Sequence, residues 1–229
     1  MHSKIFKLKN QTLRLLPEKA LYWQEQKLLL LADVHLGKAG HFRKAGIPVS
    51  SDIHWADLYR LTLLMKRWKP ERVIFLGDLF HSDKNQEWEI FREWLLEWPQ
   101  TEFILVKGNH EFLPDADYSA AHLQIVSQLE MQPFLFVHQP PPEADEAGRY
   151  ALSGHIHPGV KLWGAGRQSL RLPCFYFHRH YAILPAFGHF TGLALVKPIE
   201  AQAIFAIADE EVIDLSRKAS EKESSIRDL

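Results

Sequence analysis

Three short apolar runs constrain the fold of this chain more than any other feature, because each run ends directly at polar side chains. Runs of four or five apolar residues are typical of strands that are buried on both faces. Between them, residues 53–68 and 88–98 have apolar side chains at helical spacing. This alternation predicts βαβ units that build a parallel sheet. The runs with their polar ends are LLLLAD (28–33), VIFLGD (73–78) and FILVKGNHE (103–111).

The pattern changes after Pro133 to short strands with few helical segments, so we expect a second, more antiparallel sheet packed on the first. Residues 1–28 alternate in polarity and could form an edge hairpin. Because no linker or repeat divides the chain, we expect one domain over residues 1–215 and a polar, flexible tail over 216–229. The expected later strands are 134–138, 150–153, 170–177, 181–184, 193–197, 203–207 and 211–215.

The composition is that of a globular protein and excludes several other classes. The 229 residues are 46% hydrophobic and 24% charged, which rules out a disordered or coiled-coil chain. The formal net charge of −1 gives no global attraction to nucleic acid or membranes. A single cysteine, Cys174, excludes an internal disulfide and a cysteine-based metal cluster. No apolar run reaches the roughly 20 residues that cross a bilayer, and the start lacks a signal peptide, so we expect a cytoplasmic protein without membrane contact.

Seven side chains that can bind metals lie at the ends of five predicted strands, where ligands of open α/β sheets bind. In extended backbone, residues i and i+2 face the same way, so each of two pairs with one intervening residue can aim two donors at one point. Seven donors suit two metal ions that share one carboxylate, and mixed N and O donors favour Mn²⁺, Fe or Zn²⁺. The seven are Asp33, His35, Asp78, Asn109, His138, His155 and His157.

Further polar residues accompany this set. His110 could donate a proton to a leaving oxygen, and Glu111 could orient it or a ligand histidine. His81 is either a loop cap or a contact to a substrate phosphate. A local basic cluster is either a solvated loop or a clamp on substrate phosphates. It consists of Lys38, His41, Arg43 and Lys44.

Other conspicuous residues are expected to pack rather than react. The tryptophans at 88, 94 and 98 have helical spacing, which is typical of a core. Cys174 lies among apolar residues without a partner base, so we expect inert packing. Six other histidines, at 41, 54, 122, 178, 180 and 189, are expected on the surface or in packing, with His189 the best candidate among them to approach the site.

The ordered set over residues 33–157 resembles the calcineurin-like metallophosphoesterase superfamily. The resemblance implies a four-layer α/β/β/α sandwich of two mixed sheets with a dinuclear metal site. It also implies that Asp78 bridges the metals and that His110 is the catalytic acid. One implied ligand set is Asp33, His35, Asp78 and His157, and the other is Asp78, Asn109, His138 and His155.

Longer strings resemble the bacterial ligase-associated metallophosphoesterases, which are named as DNA damage response endonucleases. The strings are ADVHLGK (32–38), HFRKAGIP (41–48), GDLFHS (77–82) and LPAFGHFTG (184–192). Val34 and Leu193 depart from that pattern, and neither is a proposed ligand. The resemblance implies a manganese-type phosphodiesterase that acts on DNA, with a functional link to an ATP-dependent DNA ligase and a repair helicase.

Two other functions compete with this hypothesis. A nucleotide pyrophosphatase or cyclic-nucleotide phosphodiesterase could use the same site, and the near-neutral charge mildly favours a small substrate. A non-catalytic recruitment module with a disused site is the third hypothesis, although a disused site has no physical reason to keep seven ligands. The sequence leaves the oligomeric state open.

Overall fold

Two mixed β-sheets pack face to face in the computed structural model, as the sequence predicts. The structure describes residues 2–36, 52–80, 86–109, 114–164, 168–189 and 191–216. Within these ranges, no helix is both long enough and apolar enough to cross a membrane. The expected division into a domain over 1–215 and a tail stays a prediction, since residues 217–229 lie outside the described ranges.

In the described residues, the strands of the first sheet lie side by side in chain order. The first three form an antiparallel meander, and the strands from the fourth to the seventh are parallel. The expected edge hairpin over residues 1–28 is therefore a three-stranded edge. The strands are β1 (Lys4–Leu8), β2 (Gln11–Leu16), β3 (Ala20–Trp23), β4 (Leu28–Ala32), β5 (Arg72–Leu76), β6 (Glu102–Val106) and β7 (Leu123–Val126).

In the ranges that the structure describes, three helices follow β4, β5 and β6: α1 (Asp52–Trp68), α2 (Gln86–Leu96) and α3 (Asp115–Ala120). Alternate residues of the parallel strands pack on these helices, and the others face the second sheet. Both faces of these strands are therefore buried, which explains their continuous apolar runs. The expected core role of the tryptophans is confirmed, because Trp88 and Trp94 are buried and Trp98 packs against them in the helix-side cluster.

The second sheet contains parallel and antiparallel pairs. Its inner face packs on the first sheet through a core that includes Phe134, Phe136, Phe175 and Phe177. Its strands are β8 (Leu129–Met131), β9 (Phe134–Phe136), β10 (Tyr150–Ser153), β11 (Pro158–Trp163), β12 (Ser169–Phe177), β13 (Tyr181–Ile183), β14 (Ala194–Leu195), β15 (Ala203–Ala208) and β16 (Glu211–Asp214).

A third apolar cluster lies on the outer face of the second sheet and contains the buried Cys174. Val196 and Ala201 pack against it on either side of a 3-10 helix, Pro198–Glu200. Burial raises the pKa of the Cys174 thiol to about 12, because an apolar environment disfavours the thiolate. The expectation of an inert, packed cysteine is confirmed.

Three strands were missing from the sequence prediction: β7, β8 and β11. Each gives a weak signal, because β8 has three residues, β7 has four, and β11 opens on the strand-breaking pair Pro158-Gly159. The strand expected over 134–138 ends at Phe136, so His138 lies in the loop after it. The strand expected over 193–197 is limited to the two residues of β14.

The site is positioned by the register of the parallel strands. Ala32 pairs with Leu76, and Leu76 pairs with Val106, so β4, β5 and β6 end at the same level. The chain after β13 crosses to this edge, where Ala186 pairs with Ala32. The two sheets are thus joined at the edge where the candidate ligands lie.

Candidate metal centre

One group of candidate ligands consists of Asp33, His35 and His157. Asp33 and His35 follow β4 in the first sheet, whereas His157 follows β10 in the second. Their possible ligand atoms all lie within 4.8 Å of one another, and His157 Nε2 lies 3.7 Å from Asp33 Oδ1. Asp33 is completely buried, and a buried carboxylate is costly unless a positive charge lies next to it.

A second group consists of Asp78, His138 and His155. They follow β5, β9 and β10, so this group also draws on both sheets. His138 Nε2 lies 3.5 Å from Asp78 Oδ1, and His155 Nδ1 lies 3.0 Å from His138 Nε2. Asp78 and His138 are buried.

Asp78 lies between the two groups and presents one carboxylate oxygen to each. Oδ1 faces His138, and Oδ2 lies 3.9 Å from His35 Nε2. The backbone supports this contact, because the His35 N–H donates to the Asp78 carbonyl at 2.9 Å. The Asn109 N–H donates to Asp78 Oδ1 at 3.1 Å, which places Asn109 next to the same carboxylate.

Asp33 connects the two sheets through its carboxylate. The backbone N–H of His155 donates to both oxygens, at 3.1 Å to Oδ1 and 2.9 Å to Oδ2. The residue before His155 must be glycine for this approach, since a Cβ on Gly154 would lie 2.7 Å from Asp33 Oδ2. These bonds fix the orientation of the Asp33 carboxylate.

Five of the seven candidate ligands have positive φ angles, so the expectation of extended backbone at these pairs is wrong. Asp33 and His35 have φ values of 51° and 50°, Asp78 has 48°, and His155 and His157 have 68° and 53°. Asp33 and His35 share a group, whereas His155 and His157 belong to different groups, so the one-residue spacing alone does not decide which donors meet. Such strain costs of order 1–3 kcal/mol for each residue and is typical of functional sites.

The protonation of the imidazoles suits metal binding. His138 Nδ1 lies 3.0 Å from the Leu76 carbonyl, so Nδ1 carries the proton and Nε2 presents a lone pair to the group. Burial, and after it the neighbouring His138, lower the pKa of His155, because both disfavour the imidazolium. Neutral imidazoles are the form that binds metals.

The two groups fit divalent cations. Ligand atoms at about 2.1 Å from a common ion lie roughly 3 to 3.5 Å apart. The separations between ligand atoms within the groups are 3.0, 3.5 and 3.7 Å. Nitrogen and oxygen donors without thiolate suit Mn²⁺, Fe and Zn²⁺.

The comparisons with known proteins agree with this geometry. The family model of the calcineurin-like phosphoesterases matches residues 26–159, which span all seven candidate ligands and more than half of the chain. The chain belongs to the calcineurin-like phosphoesterase family. It is a metal-dependent phosphoester hydrolase, as expected.

One solved structure extends the similarity to the rest of the chain. The nuclease MPE from Pseudomonas putida is 29% identical, with a TM-score of 0.76 over 93% of this chain and 100% of that chain. The phosphoesterase Yfce from E. coli is 15% identical, with a TM-score of 0.44 over 82% of this chain and 98% of that chain, too low to carry an argument about function. No curated protein matches the sequence.

Several predicted site residues of this phosphoesterase lie outside the described ranges, so their expected roles stay predictions. The proposed acid His110 and its neighbour Glu111 are among them. The candidate phosphate contacts also lie outside the described ranges; they are His81, Lys38, His41, Arg43 and Lys44.

A charged cluster that the sequence pattern does not indicate supports Asp33 from the helix side. Asp57 Oδ1 accepts hydrogen bonds from Arg60 at 2.9 Å and from His189 Nδ1 at 2.6 Å. Arg60 also donates to the Phe187 carbonyl and lies 4.0 Å above the ring of Phe187. The next residue along the chain, at position 188, donates its N–H to the Asp33 carbonyl at 3.1 Å.

This cluster attaches α1 to the segment that holds Asp33. His189 follows the residue that contacts Asp33, but its own N–H and its side chain both contact Asp57 rather than a ligand group. The missed signal is the pair Asp57 and Arg60, three residues apart on a helix that is otherwise apolar on its buried face.

Proposed function

We propose that this phosphoesterase is a two-metal phosphodiesterase that cleaves DNA. The observation that carries the proposal is the position of Asp78, with one carboxylate oxygen toward each of two ligand groups. A pair of cations that shares a carboxylate is suited to in-line cleavage of a phosphodiester. The similarity to the nuclease MPE, which aligns over 93% of this chain, supports nucleic acid as the substrate class, and the strings that resemble ligase-associated enzymes favour DNA.

The proposed ligand sets follow the two groups. Asp33, His35 and His157 would hold one cation, while His138, His155 and the Asn109 side chain would hold the other, with Asp78 between them. Divalent cations bound there supply Lewis-acid polarisation of the phosphoryl oxygens and activate water near neutral pH. Manganese is the proposed metal, because the donor set mixes hard carboxylates with imidazoles.

The chain's own residues have three tasks in this proposal. The N–H groups of His155 and Asn109 hold the two carboxylates in place. The Leu76 carbonyl fixes the tautomer of His138. His110, which follows Asn109, would donate the proton to the leaving oxygen.

A metal-by-substrate activity matrix on metal-stripped protein tests the proposal. We expect Mn²⁺ to support hydrolysis of bis(p-nitrophenyl) phosphate and of DNA. Turnover of nucleotides or cyclic nucleotides without DNA cleavage would assign a small substrate instead. No hydrolysis with any divalent metal would favour a recruitment module.

Two variants test the residue roles. His110→Ala should abolish turnover while the protein keeps its metal, and full activity would refute the acid role. Asp78→Asn should lower the metal content of both sites, because it removes one anionic oxygen from the bridging position. Unchanged metal content by elemental analysis would contradict a bridging carboxylate.

The biological setting is a further part of the proposal. The strings that resemble ligase-associated enzymes lead us to propose a role in DNA repair, linked to an ATP-dependent DNA ligase and a repair helicase in the cytoplasm. Loss of the gene product should then sensitise cells to DNA damage to the same degree as the Asp78→Asn variant.

A further inference from the structure

We propose that one face of the β11–β12 hairpin binds an unpaired stretch of the nucleic-acid substrate beside the metal centre. Lys161, Trp163 and Arg171 form this surface, the hairpin face. The inference rests on the proposed function and adds to it a binding surface outside the candidate ligands.

The register of the hairpin puts these three side chains on the same face. Lys161 pairs with Arg171, and Trp163 is two residues further along β11, so all three share one side of the strands. Val160 and Leu172, with the opposite parity, belong to the cluster on the outer side of the second sheet. The hairpin face is therefore continuous with the inner face of the sheet, the side toward the first sheet.

The hairpin projects beyond the edge where the metal ligands lie. Tyr176 on β12 pairs with Ile183, which pairs with Ser153 at the end of β10, so Tyr176 marks the level of that edge. β12 runs antiparallel to β13, and its first residue, Ser169, pairs with Trp163. At about 3.3 Å per residue, Trp163 lies on the order of 20 Å beyond that level.

The base of the hairpin is attached directly to the metal centre. His157 is the residue before β11, and its carbonyl accepts a hydrogen bond from the N–H of Ala194 at 3.0 Å. A single nucleic-acid strand that leaves the metal centre along the hairpin would thus pass from His157 to the hairpin face.

The exposure of Trp163 is unusual for an indole. It is 69% exposed, and among the large apolar side chains that the structure describes only Ile199 is more exposed. The Lys161 ammonium lies 4.0 Å from the centroid of the indole ring, which orients the ring. An oriented, open aromatic ring next to cations is the arrangement that stacks bases and holds phosphates.

The local charge favours a polyanion although the whole chain is nearly neutral. Between Glu146 and Glu200 the sequence contains no Asp or Glu. This acid-free stretch includes both strands of the hairpin and the ligands His155 and His157. Its Lys and Arg residues are Arg149, Lys161, Arg167, Arg171, Arg179 and Lys197. The near-neutral total therefore does not argue against nucleic acid, because Lys161 and Arg171 are neighbouring cations on the hairpin, whereas Arg149 is paired with Asp145 and Glu130.

Trp163→Ala tests the proposal through steady-state kinetics with Mn²⁺ on three substrates: a long single-stranded oligonucleotide, a dinucleotide and bis(p-nitrophenyl) phosphate. We expect KM for the oligonucleotide to rise by about 5- to 100-fold, the loss of one stacked base. The two short substrates do not reach the hairpin face, so their kinetics should stay unchanged. Trp163→Phe should restore most of the oligonucleotide affinity.

Leu170→Ala is the matched control, because Leu170 is 57% exposed on the same hairpin but on the opposite face. It should behave as the wild type on all three substrates. The double variant Lys161→Ala and Arg171→Ala should weaken oligonucleotide binding and reduce its dependence on salt concentration.

Three outcomes would overturn the inference. Equal oligonucleotide kinetics for Trp163→Ala and Leu170→Ala would show that the hairpin face does not bind the nucleic-acid substrate. An equal loss on all three substrates would show damage to the metal centre. A KM increase of the same size on duplex DNA would exclude stacking with unpaired bases. Failure of the proposed function is recognised in the wild type instead, as hydrolysis of bis(p-nitrophenyl) phosphate without cleavage of any oligonucleotide.

Discussion

Gly77 keeps a space that the metal centre needs, and Gly77→Ala should therefore damage that centre specifically. Gly77 has a φ of +74° and lies between β5 and Asp78. A Cβ at this position would lie 2.2 Å from His138 Nδ1 and 2.8 Å from the Cα of Gly108. Neither neighbour can move freely, because one is backbone and the other is a ring bonded to the Leu76 carbonyl.

Gly148 provides a matched control, since its φ is +73° and no atom lies within 4 Å of its would-be Cβ. An alanine at either position has the left-handed cost of about 1–2 kcal/mol, offset in part by about 0.4–1 kcal/mol of unfolded-chain entropy. Gly148→Ala should therefore lower the free energy of unfolding by about 0–1.6 kcal/mol.

Gly77→Ala has a further cost that the control lacks. The His138 ring must leave its place and lose its bond to the buried Leu76 carbonyl, which costs about 1–3 kcal/mol. His138 also loses the contact that orients its Nε2 toward Asp78, and losses of this kind lower metal affinity by about 10- to 100-fold.

Urea unfolding in the presence of a chelator measures the first effect, and titration of the metal-free protein with Mn²⁺ measures the second. We expect Gly77→Ala to be less stable than Gly148→Ala and to lose affinity at one of two Mn²⁺ sites. If the two variants matched in both measurements, the proposed packing of His138 against Gly77 would be refuted.

Two further predictions concern the charged residues near α1. Asp57→Asn should lower the free energy of unfolding by about 2–3 kcal/mol, because it leaves Arg60 largely buried without its carboxylate. Asp115→Asn should change the free energy of unfolding by less than about 1 kcal/mol, since the pair with Lys107 is exposed. Equal effects of Asp57→Asn and Asp115→Asn in urea unfolding would contradict this account. Lys19→Met should raise the free energy of unfolding at pH 7 by about 1–3 kcal/mol, because burial lowers the pKa of Lys19 from 10.5 to about 8. Between pH 8 and pH 10.5 the unfolded chain binds a proton that the folded chain does not, so the stability of the wild type should rise with pH. The advantage of Lys19→Met should therefore vanish above about pH 10.5. A difference that does not depend on pH would exclude burial of the charge as the cause.

The sequence predicted where the ligands would meet better than how they would be held. The apolar runs before Asp33 and Asp78 required strands buried on both faces, and parallel strands in register end at one edge. Side-chain direction was not predictable in the same way. The expectation for His155 and His157 used extended geometry, whereas both residues are left-handed and belong to different groups.

Contacts between distant segments were also beyond the reach of the pattern. Asp57 lies on a helix where a charged residue is normally read as solvent-exposed, and nothing local indicates that its partner is His189, far along the chain. The hairpin face gave no signal for a related reason: Lys161 and Arg171 become neighbours only through the register of β11 with β12.

The position of Asp33 explains why the site depends on the packing of both sheets. Its backbone carbonyl accepts an N–H from the chain that leaves β13, and its carboxylate accepts the N–H of His155 after β10. Asp33 follows β4 of the first sheet, whereas β10 and β13 belong to the second, so these bonds form only when the two sheets pack on each other. The strained φ angles at Asp33 and His155 are then fixed by tertiary bonds rather than by local preference. Asp33 and Asp78 are both buried at this edge, so cations that bind between the sheets would compensate their charge and favour the folded state by mass action.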